Sequence, residues 1–311
     1  MAIAHPLIFS IVIPSYNYAH YLPRAIKSVT AQEGNDYEIV VVDDGSTDDT
    51  AAVVKNMQMS AQAPIRYVYQ TNSGLSATRN RGAREAGGRF LLFLDADDAL
   101  CPGALAHVRG PLQRQPHIDF VVGGYVISRI SGTTKLKKAL ALTADRQDNF
   151  FRYLRGDLNS LPSGSVVAAR KVFDRLQFPC SDMMWEDIVF YAHMLALYDG
   201  LSIPEPLVTI YRHATSLGHN VDRVRRDYHK PLDRLFNPAI LPNRLMPMRD
   251  EFASITSLHL FTFFYKRGFY EEAREAFRRA VRVFPRHLFK WRHLRRYLTI
   301  VVKTIGRRSA H

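Results

Sequence analysis

The sequence predicts an α/β fold: a mostly parallel sheet flanked by helices, followed by a helical, basic C-terminal extension. Three observations predict it. Over the first hundred residues, short β-branched apolar runs alternate with stretches whose apolar residues recur at helical spacing. Polar and acidic residues collect where the apolar runs stop, at 15–17, 43–46 and 95–98. The charge is uneven: of a formal net +13, residues 266–311 supply 14 Lys or Arg against 3 Glu.

The elements follow in order. "FSIVIPSYN" (9–17) is a short buried strand, and Leu22, Ala25, Ile26 and Val29 after it share one helical face. "YEIVVVDDGS" (37–46) is a second strand running into a Gly-containing turn, where Ser46 or Thr47 is expected to cap the helix carrying Ala51, Val53 and Val54. "IRYVYQ" (65–70) is a third strand. "GLSATRNRGAREAGG" (74–88) is a helix that Gly87 and Gly88 should close. "RFLLFLD" (89–95) is a fourth strand. Alternation of this kind implies right-handed crossovers. "IDFVVGGYVISRI" (118–130) and "KLKKALALT" (135–143) read as a longer strand and its partner. Helical patterns follow at 146–156 and 186–198, and "LSIPEPLVTIYRH" (201–213) is another strand. After about 220 the chain is helical and increasingly basic, which divides it into 1–220 and 221–311.

Composition excludes several classes. Two cysteines, Cys101 and Cys180, make neither a disulfide framework nor a four-ligand zinc site, and they read as packing residues in a reducing, cytoplasmic setting. The apolar N-terminus lacks a cationic flank and is broken by Pro6 and Pro14, so it reads as the first strand rather than a signal peptide. No apolar run is long enough to span a bilayer. The basic tail points to an anionic surface, either membrane headgroups or nucleic acid.

In open parallel sheets, ligands bind beyond the carboxyl ends of the strands. Ser15-Tyr16-Asn17, Asp43-Asp44-Gly45-Ser46 and Asp95-Ala96-Asp97-Asp98 all fall there. Three carboxylates within four positions repel one another, so a positive group is expected among them. Neither GxxxxGK[ST] nor GxGxxG occurs. A nucleotide would therefore be held by carboxylates, a metal and strand-end side chains.

"SIVIPSYN" (10–17), "IVVVDDGSTDDT" (39–50), "NSGLSATRNRGAREAGGRFLLFLDADD" (72–98) and "WEDIVFYAHML" (185–195), in that order and spacing, resemble the family 2 glycosyltransferases of GT-A fold. The resemblance covers roughly residues 8–215. It implies an inverting enzyme that moves a sugar, hexosyl or N-acetylhexosaminyl, from a nucleotide diphosphate donor to an acceptor hydroxyl. Residues 1–220 would be the nucleotide-sugar-binding and catalytic domain. The growing charge on the leaving diphosphate calls for a hard divalent cation, Mg²⁺ or Mn²⁺. By the family pattern Asp97 is the direct metal ligand, and Asp95 meets the ribose or the metal through water. Asp44 contacts the uracil of a UDP-sugar, Tyr16 packs on the base, and Pro14 and Asn17 shape that strand end. Arg79 faces the diphosphate. Asp187 of the "ED" pair is the general base, with Glu186 beside it; at a helix start the dipole should keep it ionised. His213, in a segment that also holds Arg212 and His219, is a further ligand candidate. Asp98 is expected to cap a turn, and Trp185 either floors an acceptor sugar or fills the core.

The implied acceptor is a growing cell-surface polysaccharide or lipid-linked glycan. "HLFKWRHLRRYLTIVVKTIGRR" (287–308) mixes apolar residues with seven Lys or Arg and would lie on the inner face of a membrane, Trp291 and Tyr297 at headgroup depth. The alternative is a solvated basic helix packed on the body. "GFYEEAREAFRRAVRVFPRH" (268–287) resembles one tetratricopeptide-like helix, but a single unit cannot form an array, so core packing is expected. Two rival functions stand beside these. A sugar nucleotidyltransferase should carry a Gly-rich, basic loop after the first strand, and "PSYNYAHYLP" is neither. A basic nucleic-acid binder leaves the carboxylate edge without a use, so no nucleic-acid partner is expected.

Overall fold

The computed structural model describes residues 7–156, 161–180, 185–213, 221–228, 231–289 and 291–308. The chain forms two compact units, Met1–His219 and Asn220–His311.

The first unit opens with the expected alternation: β1 (Phe9–Ser15), α1 (Leu22–Thr30), β2 (Tyr37–Asp43), α2 (Thr50–Ser60), β3 (Ile65–Tyr69), α3 (Leu75–Glu85) and β4 (Phe90–Phe93). These four strands are parallel neighbours in the order β3-β2-β1-β4. Every residue of β1 and β2 is buried, as mid-sheet strands covered on both faces require, and the polar Ser10 and Glu38 within them pair, the Ser10 hydroxyl donating to Glu38 Oε1 at 2.7 Å. The register Ser15↔Asp43 brings their polar ends level. Leu22, Ala25, Ile26 and Val29 are the buried face of α1. A β-carbon at Gly82 would stand 2.2 Å from Val12 Cγ1, so only glycine lets α3 seat this closely on the sheet.

Beyond β4 the sheet becomes mixed. β5 (Ala99–Leu100), α4 (Ala104–Arg114), β6 (Phe120–Ser128), β7 (Thr134–Lys137), α5 (Arg146–Arg155), β8 (Val166–Ala169), α6 (Arg170–Arg175), α7 (Glu186–Leu197) and β9 (Gly200–Tyr211) follow. Nine strands among the described residues form one sheet, ordered β3-β2-β1-β4-β8-β6-β9-β5, with β7 paired to β6. β8 runs antiparallel to both β4 and β6, while β9 runs parallel to β6. Because β6 is antiparallel to β8 in turn, β6 and β9 run in the same direction as β1 to β4; β8, β5 and β7 are the reversed strands, and the sheet is mostly parallel as the sequence predicts.

Two local expectations are corrected. Ser46 and Thr47 do not cap α2. Ser46 Oγ instead accepts the Asn17 N–H at 2.9 Å, and Thr47 donates its N–H to Asn17 Oδ1 at 2.8 Å. Asp48 does the local work, accepting from the Thr50 N–H and hydroxyl. Nor do Gly87 and Gly88 close α3, which ends at Glu85 with Ala86 already extended. Gly88 is small for another reason: a β-carbon there would sit 2.6 Å from the Phe9 carbonyl carbon.

The second unit holds α8 (Val221–Asp227), α9 (Pro231–Leu235), α10 (Met248–Arg267), α11 (Tyr270–Val283) and α12 (Trp291–Arg308). α11 buries Ala273, Ala276, Phe277 and Ala280, the stripe that the sequence marks for core packing. Ser254 of α10 donates its hydroxyl to the Ala280 carbonyl at 2.7 Å. Tyr297 does not face outward as expected for headgroup depth. Its ring stacks on Phe277 with centroids 4.4 Å apart, because that side of α12 is the packed side. Among the described residues no helix is long and apolar enough to cross a membrane.

Candidate active site

The site is built where β1, β2, β4 and β9 end and α3 and α7 begin. Two of its walls are turns held by carboxylates. Asp43 Oδ1 accepts the Ser46 N–H at 2.9 Å, and Oδ2 accepts the Tyr67 hydroxyl at 2.5 Å. Asp44, also buried, takes three donors: Gln70 Nε2 at 2.7 Å, the Ser73 N–H at 2.8 Å and the Gly74 N–H at 2.9 Å. These bonds fold residues 70–74 into the start of α3. A carboxylate has about four acceptor positions, so Asp44 keeps about one for another partner. Asn17 (φ 55°) clasps Thr47 and Ser46, tying the end of β1 to the turn after β2. Pro14 lies inside β1 opposite Val42. Tyr16 is 48% exposed at the same edge.

The second acidic turn differs in what it meets. Asp98 is buried and accepts the Tyr211 N–H at 3.1 Å, so it fastens the end of β9 rather than capping a turn. Burial first, then Asp95 and Asp97, push its pKa well above the usual carboxylate range. Asp95 and Asp97 remain 39% and 22% exposed, and each faces a cationic or imidazole group. Arg79 Nη2 lies 3.0 Å from Asp95 Oδ1. His213 Nε2 lies 2.7 Å from Asp97 Oδ2, its ring stacked on Tyr21 with centroids 5.0 Å apart. Arg24 donates to the Asp97 main-chain oxygen and lies 3.7 Å over the Tyr211 ring. Part of the positive charge expected among these carboxylates is thus the protein's own. His219 lies outside the described residues.

Arg79 joins the acidic end of β4 to α7. Its guanidinium is buried over the Phe178 ring, and Nη1 lies 3.9 Å from Glu186 Oε1. Burial works against its charge, and the surrounding carboxylates, Asp95 foremost, outweigh that. Asp187 does not sit in an environment that simply favours ionisation. Burial and the Glu186 charge push its pKa up to about 6, against the pull of Arg79 and of the Ile188 N–H that its Oδ1 accepts at 2.8 Å. Desolvation and a like charge outweigh the helix terminus here. Trp185, the residue before α7, holds φ 75°. For a bulky side chain that conformation costs of order 1–3 kcal/mol.

The residues singled out from sequence therefore fall in three groups. Arg79, Asp95, Glu186 and Asp187 form one network of ion pairs and charge interactions, with the Asp97–His213 pair on the same acidic turn. Asp44 and Asn17 hold the walls, and Pro14 and Tyr16 lie on the neighbouring strand end. Sequence reasoning missed Tyr18, Tyr21 and Arg24, which line the side near Asp97 and His213. The signal was the aromatic density of "YNYAHYLPR" (16–24). Cys101 is buried and Cys180 is exposed, with Asn80 donating toward its sulfur at 3.3 Å.

The profile of "Glycosyl transferase family 2" matches residues 10–176, over half of the chain. An uncharacterized glycosyltransferase of Nostoc is 33% identical over 57% of this chain and 55% of its own length. A Campylobacter jejuni GalNAc(5)-diNAcBac-PP-undecaprenol beta-1,3-glucosyltransferase is 41% identical over 31% of this chain and 32% of its own. The chain thus spans about half, or less, of the length of these two curated relatives. Among solved structures, S. aureus TarS (1–349) in complex with UDP-GlcNAc superimposes with a TM-score of 0.65 at 19% identity, covering 94% of this chain and 90% of that one. The Pyrobaculum calidifontis mannosyltransferase PcManGT, in complex with GDP-Man and Mn²⁺, gives 0.57 at 20% identity over 91% and 75%. These two likenesses show the fold.

Proposed function

This chain belongs to glycosyl transferase family 2, and from that premise we propose that it is a metal-dependent inverting enzyme. It transfers a sugar from a UDP-sugar to a hydroxyl of a growing, lipid-linked glycan. One observation carries the reading: Arg79 reaches both Asp95 and Glu186, so the start of α7 and the acidic end of β4 belong to a single site.

The chemistry follows from the residues. Asp187, titrating near 6, is ionised at neutral pH yet basic enough to take a proton. It removes the acceptor hydroxyl proton as that oxygen attacks the anomeric carbon. The bond from that carbon to the diphosphate breaks, and its electron pair leaves on the nucleoside diphosphate. One displacement inverts the centre, so no second carboxylate nucleophile is required. Arg79 holds Asp95 in place and keeps Glu186 and Asp187 from repelling the donor edge.

The residues present fit a hard divalent cation of the substrate-bridging kind. No group of three or more candidate protein ligands is assembled among the described residues. Mg²⁺ and related ions are commonly held by one or two carboxylates, with substrate phosphates completing the shell. Asp97 and Asp95, both part-exposed, would hold it, and His213 orients the Asp97 carboxylate. When bound, the ion neutralises the charge that grows on the departing diphosphate.

The TarS complex with UDP-GlcNAc supports a uridine donor, and the remaining acceptor position of Asp44 suits a base N–H. The undecaprenol-linked activity of the Campylobacter relative supports the acceptor class. The test is Asp187→Asn with a UDP-sugar. Unchanged donor binding with turnover down by about 10²–10⁴-fold supports the role. Transfer at the wild-type rate assigns the base to another group.

A further inference from the structure

Residues 276–311 contain 11 Lys or Arg and neither Asp nor Glu. Within this stretch α12 has two apolar sides. One is packed: Tyr297 stacks on Phe277, His293 meets Phe261 edge-on, and Ile300 is fully buried. The other faces solvent. Trp291 and Leu298, seven residues apart and so on one side of the helix, are 68% and 49% exposed, and Phe289 just before them is 82% exposed. A helix packed on its own unit needs one apolar face, not two.

We propose that Phe289, Trp291 and Leu298 form an insertion edge that docks this chain on an anionic lipid bilayer, with the surrounding lysines and arginines held to the headgroups. The chemistry selects this partner. Tryptophan and phenylalanine settle at the boundary between headgroups and acyl chains, and an acid-free basic segment is drawn to anionic lipid. Nucleic acid would use the cations but gains little from an exposed Leu298. A second copy of this chain would bring the same run of positive charge against it. The inference deepens the lipid-linked acceptor reading, and rests on it only for why the enzyme should sit at a membrane. The docking itself requires no turnover.

The test uses the full chain. Trp185→Phe leaves Trp291 as the sole tryptophan, because the chain has 2. With phosphatidylglycerol-rich vesicles the protein should float, Trp291 emission should shift to the blue, and brominated acyl chains should quench it. Neutral phosphatidylcholine vesicles should capture far less. The combined Phe289→Ser and Trp291→Ser variant should lower partitioning by on the order of 100-fold, since each aromatic is worth about tenfold or more when buried. Four results would overturn the proposal: no flotation on anionic vesicles, equal flotation of the double variant, unmoved Trp291 emission, or tighter binding to RNA than to vesicles. A protein-concentration-dependent dimer that buries Trp291 without lipid would also sink it. UDP binding in lipid-free buffer reads the enzymatic site separately, so either reading can fail alone.

Discussion

The two acidic turns of the site have nearly the same composition and opposite surroundings. After β2, Asp43 and Asp44 spend their oxygens on N–H and O–H groups of the chain: Ser46, Tyr67, Gln70, Ser73 and Gly74. After β4, Asp95 and Asp97 keep part of their surface open and face Arg79 and His213. A carboxylate that gives most of its acceptor positions to the chain's own donors builds a wall. One left half-open beside a cation is available to a ligand, because its remaining acceptor positions are not yet committed. The difference also separates Asp98, buried and fastened to Tyr211, from its two neighbours in sequence.

Substitutions can break or sharpen this contrast. The largest effect is expected at α7: Asp187→Asn should cost catalysis about 10²–10⁴-fold while thermal unfolding reports no loss of fold. Its pH dependence has a definite sign. The folded pKa, about 6, lies above the ordinary value of 3.8, so the native state binds more protons between them. Stability attributable to this group therefore falls as pH rises through that window. Asp187→Asn should raise Tm at pH values above 6 relative to wild type, and the difference should fade in acid. In the wild type, kcat/KM should fall on the acid side with an apparent pKa near 6, read from a pH–rate profile.

Next comes Arg79→Met, which leaves Asp95 and Glu186 without their shared cation. Breaking a fully buried pair costs about 3–5 kcal/mol. Asp95 is 39% exposed, so the loss measured by denaturant unfolding should fall below that range. Asp44→Asn tests the wall. It keeps the shape but weakens three hydrogen bonds, and a destabilisation of about 1–3 kcal/mol with increased protease sensitivity at 70–74 is expected. The smallest effect belongs to Tyr16→Phe: the ring is retained, and nucleotide affinity measured by calorimetry should change less than about threefold if stacking alone is its contribution.

Much of the fold was legible because its first half obeys local rules. The runs at 9–15 and 37–43 are rich in β-branched apolar residues, the run at 90–93 is Phe-Leu-Leu-Phe, and all three are buried strands. β8 was not legible. Its four residues, Val166–Ala169, are too few for a period to register, and only its antiparallel partners β4 and β6 define it. The carboxylate edge could be read from strand ends, but its internal division could not. Nothing in "DDGS" or "DADD" says which oxygens are taken by backbone N–H groups, since that depends on loops folded from residues 70–74 and 211–213. Asp187 shows the same limit. Its helix-start position is local and visible, while the desolvation that raises its pKa comes from packing.

The most direct measurement of the contrast is UDP binding by titration calorimetry with and without Mn²⁺, in the wild type and in Asp97→Ala. Mn²⁺ should tighten UDP binding by at least about tenfold in the wild type and leave Asp97→Ala unchanged. Equal affinity with and without Mn²⁺ in the wild type, or an undiminished Mn²⁺ effect in Asp97→Ala, would contradict the assignment of the β4 carboxylates as the ligand-facing pair.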